Sequence, residues 1–216
     1  MIKLIIYDLD GTLINSSKDI SNSVNWAMKE LELPELPESR IRSYVGSGVI
    51  PLLREVLKEV SGRPELLDRA VALYKSQYSE HLLDETKLYP EVETVLKFFK
   101  NRKQAIITNK TTAFSHRILK GLGINSYFFE IIGGDQTLPK KPAPDSVFSL
   151  MNSASARPEE TVFIGDSTID IETAKNAGIK SIIVTYGFDS RASIESAKPD
   201  FILGRLGEVL NLDLMK

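Results

Sequence analysis

Cysteine is absent from this 216-residue chain, which removes disulfides, iron–sulfur clusters, zinc–thiolate sites and thiol nucleophiles together. Histidine is scarce. His81 and His116 lie in helix-like stretches far apart in sequence and lack the spacing of a metal pair. No apolar run approaches the roughly 18 residues of a membrane span, and Asp8 and Asp10 break the N-terminal apolar stretch before it could serve as a signal peptide. An excess of one charge is also lacking. With 27 Lys plus Arg against 29 Asp plus Glu the net charge is −2 at pH 7, which argues against a nucleic-acid binder driven by bulk charge. There is no G-x-S-x-G, no G-x-x-x-x-G-K-[ST], no complete G-x-G-x-x-G, and no tandem repeat or low-complexity tract. The expectation is a cytoplasmic globular protein with neither nucleic acid nor membrane as partner.

What is present suffices for a sizeable core, since 42% of residues are hydrophobic and 26% charged. Short apolar runs at Ile2–Tyr7, Ala105–Thr108, Ile131–Gly133, Val162–Gly165, Ser181–Val184 and Phe201–Leu203 read as buried parallel strands. Helix-length amphipathic stretches fall between them at Glu91–Lys100, Ala113–Gly121, Asp145–Asn152, Ile169–Asn176 and Leu206–Leu210. This alternation predicts an α/β fold with a doubly wound, mostly parallel, Rossmann-like sheet. From Leu13 to about Tyr89 no strand run appears. Apolar residues there recur at helical spacing, as in Ile20, Val24, Ala27, Met28 and Leu31, with Pro34, Pro37, Pro51 and Pro64 near the helix boundaries. The predicted organisation is an α/β core of residues 1–14 and 86–216 with an all-helical insertion over 15–85. Trp26 and the tyrosines of that insertion read as core.

Four segments carry chemistry. In Tyr7-Asp8-Leu9-Asp10-Gly11-Thr12-Leu13 two carboxylates at i and i+2 point to one side of an extended chain at the carboxyl end of the first strand, where open α/β sheets place their sites. A hard divalent cation such as Mg²⁺ would relieve their repulsion, and Gly11 and Thr12 offer N–H groups to an anion; a solvated turn is the plainer alternative. Asp166 and Asp170 follow the strand Val162–Gly165, either as helix caps or as a second acidic pair for the same metal. Thr108 and Asn109 close another strand with groups able to bond a phosphate, or simply begin a helix. Lys141 stands in Lys140-Lys141-Pro142-Ala143-Pro144-Asp145, where a fixed ammonium among carboxylates would neutralise a phosphate, though basic loop pairs are usually solvated.

In this order the four segments resemble the haloacid dehalogenase-like hydrolase superfamily, whose pattern is D-x-D-G-T, then Thr or Ser, then Lys, then G-D-x-x-x-D. The resemblance spans nearly the whole chain. It implies a Mg²⁺-dependent phosphomonoesterase acting on a small phosphorylated metabolite through an aspartyl-phosphate. Asp8 would be the nucleophile and Asp10 the general acid and base. Asp8, Asp10 through its backbone carbonyl, Asp166 and Asp170 would serve the metal. Gly11, Thr12, Thr108, Asn109 and Lys141 would serve the phosphate. The helical insertion resembles the superfamily's helical cap, and the 30 or so residues between Asn109 and Lys140 leave little room for the larger cap type. Within the superfamily, Tyr44-Val45-Gly46-Ser47-Gly48, Thr108-Asn109-Lys110 and Thr185-Tyr186-Gly187 are most similar to phosphoglycolate phosphatases. Gly46, Ser47 and Gly48, ahead of Pro51, are the expected substrate contacts in the cap, with Arg42 or Arg54 adding charge. Two alternatives stand: a sugar-phosphate mutase akin to β-phosphoglucomutases, and a non-catalytic phosphate-binding scaffold. A dehalogenase is disfavoured, because that branch resembles D-x-Y-G-T.

Overall fold

The computed structural model describes residues 1–136 and 139–215. In chain order the regular elements are β1 (Leu4–Tyr7), β2 (Ile14–Asn15), α1 (Ser17–Glu30), α2 (Glu38–Arg42), α3 (Val49–Val60), α4 (Leu67–His81), β3 (Lys87–Leu88), α5 (Val92–Phe98), β4 (Lys103–Ile107), α6 (Thr112–Gly121), β5 (Glu130–Ile132), α7 (Asp145–Ala154), β6 (Thr161–Gly165), α8 (Thr168–Asn176), β7 (Lys180–Val184), α9 (Arg191–Ala197) and β8 (Phe201–Leu203). Six strands form one parallel sheet in the order β5-β4-β1-β6-β7-β8. All six runs picked out by continuous hydrophobicity are strands, because a sheet covered on both faces needs apolar residues at every position.

β1 shows the consequence. Leu4 and Ile6 pack with Val147 and Leu150 of α7 and Ala174 of α8, while Ile5 and Tyr7 face Val95 and Leu96 of α5 and Ile118 and Leu119 of α6. All four β1 residues are fully buried, each contributing on the order of 2 kcal/mol of apolar transfer. From β1 the chain passes to β4 and β5 on one side and later returns to β6 on the other. The sheet therefore switches direction beside β1, and a crevice opens at that strand's carboxyl end.

Helices α1 to α4 lie between β1 and the rest of the sheet in sequence. Their two connections pair as the antiparallel strands β2 and β3, with Ile14 opposite Leu88 and Asn15 opposite Lys87. These strands correct the expectation that no strand occurs between Leu13 and Tyr89: two residues each are too few to show a periodicity. Beside them the buried Asp19 of α1 accepts bonds from Glu85 N–H at 3.0 Å, Thr86 N–H at 2.8 Å and the Thr86 hydroxyl at 2.7 Å, clasping the return connection. Two further corrections concern the C-terminal part. Leu206–Asn211 is a 3₁₀ helix rather than an α-helix, and α9 was not expected, since only Ile194 of its seven residues is buried. Among the described residues no helix is long and apolar enough to cross a membrane.

Candidate active site

Asp8 follows β1 directly, and Asp166 follows β6, the strand hydrogen-bonded beside it. Asp170 lies in the first turn of α8, whose N-cap Ser167 exchanges bonds with it in a capping box. Asp8, Asp166 and Asp170 each offer a carboxylate oxygen within 4.8 Å of the others, and all three are buried. Both readings of Asp170 hold at once. Its Oδ2 accepts from the N–H groups of Asp166 and Ser167 and from the Ser167 hydroxyl, while its Oδ1 accepts from Lys141 Nζ at 2.7 Å. Lys141 also donates to Asp8 Oδ1 at 2.7 Å and is 3% exposed at the side chain. The peptide bond between Lys141 and Pro142 is cis.

Burial dominates the electrostatics. It pushes the Asp8 carboxyl up to about 7, with Lys141 opposing the rise and Asp170 and Asp10 adding to it. Asp166 is raised well above the ordinary carboxylate range by burial and then by Asp8 and Asp170, against hydrogen bonds from Phe188 N–H and the Thr12 hydroxyl. Burial works against the Lys141 charge, but Asp170 and Asp8 more than offset it and hold the ammonium protonated. Three crowded carboxylates with one lysine among them are short of positive charge. A hard divalent cation with oxygen ligands fits that donor set.

Asp10 turns elsewhere. Its Oδ1 accepts from the Ser16 hydroxyl and lies 3.1 Å from Lys110 Nζ, so the Asp10 carboxylate is not one of the three clustered groups. Lys110 in turn donates to the Tyr78 hydroxyl of α4 at 2.7 Å. Lys110 and Tyr78 were missed in the sequence: Tyr78 reads as core at helical spacing, and Lys110 as the third letter of a helix start. Their shared contact with Asp10 joins segments no local pattern connects.

Several of the groups expected to meet a phosphate have partners within the protein. Gly11 N–H donates to Ile14 O at 2.9 Å, and Thr12 N–H is directed to Leu9 O at 3.4 Å. The Thr12 hydroxyl donates to Asp166 Oδ1 at 2.8 Å, holding a side-chain carboxyl of the protein. Gly11, at φ +91°, is needed for space, because a Cβ there would lie 2.2 Å from Asp166 Oδ2. Asn109 Nδ2 donates to Gly46 O at 2.9 Å and Lys141 O at 3.3 Å, tying the helical insertion to the core, and its buried Oδ1 has no partner among the described residues. Thr108 is buried at the end of β4 and faces the same crevice.

Above these residues lies a cavity of about 300 Å³ between the insertion and the sheet. Gly46 and Gly48 line it, and Gly48 approaches Asn109 so closely that a Cβ would lie 3.0 Å from Asn109 O. Ser47 is exposed and does not line the cavity. Nor do the expected arginines. Arg42 donates to Gly187 O and stacks on the Phe188 ring at 5.2 Å, and Arg54 is exposed on another face of the insertion. The lysines of the wall are Lys75, Lys110 and Lys140. Tyr74 and Tyr78 are buried, yet they form part of that wall rather than only core.

Residues 5–184 match the model of the family described as haloacid dehalogenase-like hydrolase. A phosphoglycolate phosphatase of Aquifex aeolicus is 35% identical over 212 residues, covering 97% of this chain and 96% of its own. One of Mannheimia succiniciproducens is 36% identical over 220 residues, with 97% of each covered. Among solved structures, one described as a predicted phosphoglycolate phosphatase from Haemophilus somnus superposes with a TM-score of 0.91 at 32% identity, covering 97% of each chain. The family model spans most of the chain and the relatives are matched over nearly their whole length, so the chain belongs to the haloacid dehalogenase-like hydrolase family.

Proposed function

We propose that this hydrolase is a Mg²⁺-dependent phosphatase whose substrate is 2-phosphoglycolate or a similarly small phosphorylated acid, with Asp8 as nucleophile. The observation that carries the reading is the placement of Asp8. It ends the central strand at the switch point of the sheet, buried, with Oδ1 fixed by Lys141, beneath a cavity sized for a small metabolite. The names of the relatives supply the substrate.

With Oδ1 held, Oδ2 of Asp8 is the oxygen left to attack phosphorus as the ester P–O bond breaks. Asp10 protonates the departing alkoxide. It then takes a proton from the water that attacks the aspartyl-phosphate, and inorganic phosphate leaves as Asp8 is regenerated. Lys141 and the Thr108 hydroxyl stabilise the phosphoryl oxygens, since catalysis of this transfer is chiefly positioning and charge neutralisation. Asn109 keeps the helical cap and the Lys141 loop together. Asp8, Asp166 and the Asp10 carbonyl would hold Mg²⁺, with Asp170 in support. When bound, Mg²⁺ supplies the positive charge that lets an anionic nucleophile meet an anionic substrate.

The test is phosphate release from 2-phosphoglycolate with and without Mg²⁺, beside an Asp8→Asn variant. Turnover should require the metal and vanish in the variant. Full activity in folded Asp8→Asn, or isomerisation of hexose 1-phosphate without phosphate release, would overturn the reading.

A further inference from the structure

Lys110 follows Thr108 and Asn109 after β4, with Nζ 3.1 Å from Asp10 Oδ1, 2.7 Å from the Tyr78 hydroxyl and 4.6 Å from that ring's centroid. Its side chain is 7% exposed. An ammonium has three N–H donors. Tyr78 takes one in a hydrogen bond and the Asp10 carboxylate faces the ammonium as an ion pair, so among the described residues at least one N–H is left, and because Lys110 forms part of the cavity wall it is available to a bound anion. A hydrated surface lysine discriminates weakly between ligands. One already stripped of water and held by fixed partners attracts an anion at low local dielectric. Around it the wall is largely apolar, with Ile50, Leu52, Tyr74 and Phe114. The other two lysines are placed differently: Lys75 is exposed, and Lys140 is half-buried beside Gly48.

The reach of Lys110 sets which anion it can meet. In the reaction proposed above, Asp10 hydrogen-bonds the ester oxygen, so that oxygen lies about 3 Å from the carboxylate that Lys110 also touches. In a 2-phosphooxy carboxylate the carboxyl carbon is two bonds from the ester oxygen, roughly 2.4 Å away. Such a carboxylate falls beside Lys110. A neutral group there, or an anion several carbons further on, leaves that N–H unused.

We infer that Lys110, steadied by Tyr78, selects the substrate by binding a carboxylate on the same carbon that carries the ester oxygen, and so directs the enzyme to 2-phosphooxy carboxylates. This assignment rests on the phosphatase reading above. The test compares kcat/KM for 2-phosphoglycolate with that for its primary amide, an ester of the same size without the carboxylate charge. Wild-type protein should favour the acid. Lys110→Met should lower the acid-to-amide ratio about tenfold to a hundredfold, mostly through KM of the acid, the size of one charge-assisted hydrogen bond. Loss of the Asp10 contact slows both esters and cancels in the ratio. Lys110→Arg should keep most of the preference, and Tyr78→Phe should lower it by a smaller factor. A wild-type preference that survives Lys110→Met overturns this assignment alone; a wild-type ratio near one overturns both it and the substrate reading. If Lys110→Met does not fold, Tyr78→Phe decides, and an unchanged ratio there rejects the assignment.

Discussion

At Gly11 the turn after β1 leaves room for a hydrogen atom and no more against Asp166. With φ at +91° and Asp166 Oδ2 where a Cβ would go, Gly11→Ala must either displace Asp166 or rotate the backbone out of a left-handed region that costs an L-residue roughly 1–2 kcal/mol. Both routes loosen the acidic cluster. Gly11→Ala should lower kcat/KM by more than about a hundredfold, as measured misplacements of about 1 Å do, while urea unfolding shifts by only about 1–2 kcal/mol. Near-normal turnover would mean that Asp166 need not stay where it is. At this scale the sequence was legible where chemistry coincides with a strand end: Asp8, Thr108 and Asp166 all announce themselves that way. Partner choice was not legible. Nothing local says that the Thr12 hydroxyl serves Asp166, that Asn109 spans to Gly46, or that Lys110 meets Asp10 and Tyr78, because each contact joins segments far apart in the chain.

The elements differ in how openly they declare themselves. Buried parallel strands are continuous apolar runs and were found within a few residues, whereas β2 and β3 have two residues each and α9 buries one side chain. Their positions depend on tertiary contacts, which sequence period does not encode. Asp19 is one such contact. Asp19→Ala would leave the N–H groups of Glu85 and Thr86 without their acceptor, and the stability measured by urea unfolding should fall by about 3 kcal/mol, the penalty for breaking a buried charged hydrogen-bond group. The edge of β6 gives a pH-dependent counterpart. Glu160, just before that strand, is held down to about 2 by the bond from Lys3, with Arg157 adding to it. A carboxyl lowered in the folded state contributes stability above its unfolded value near 4.5, and the contribution disappears as pH falls toward 2. Wild type should therefore exceed Glu160→Gln in stability at pH 6, by less at pH 3, and by little near pH 2. Urea titrations at the three pH values would show it, and a difference constant with pH would refute it.

On the scale of the whole molecule, the metal should report on folding as well as on activity. Mg²⁺ at a hundred times its Kd adds about 2.7 kcal/mol to the native state, or roughly 5–10 °C in Tm for a chain of this size. Asp166→Asn should lose most of that shift. A Tm that ignores Mg²⁺ in the wild type would count against the cluster as its site. The helical insertion meets the core through Arg42 at Gly187 and Asn109 at Gly46, and Phe188, next to Gly187, bonds Asp166. Arg42→Ala should therefore raise KM for 2-phosphoglycolate several-fold with little change in Tm, which paired kinetics and melting would reveal. The pairing of β2 with β3 has a consequence of another kind. Because Asn15 and Lys87 face each other across one antiparallel ladder, the chain leaves the sheet and returns to it about 5 Å apart, however long the excursion between them. An excursion of seventy residues or so whose two ends meet this closely can change in length without spreading the strands it joins. An insertion into one of its interhelical turns should therefore leave the β2–β3 pairing, and the strand end that carries Asp8, where they are.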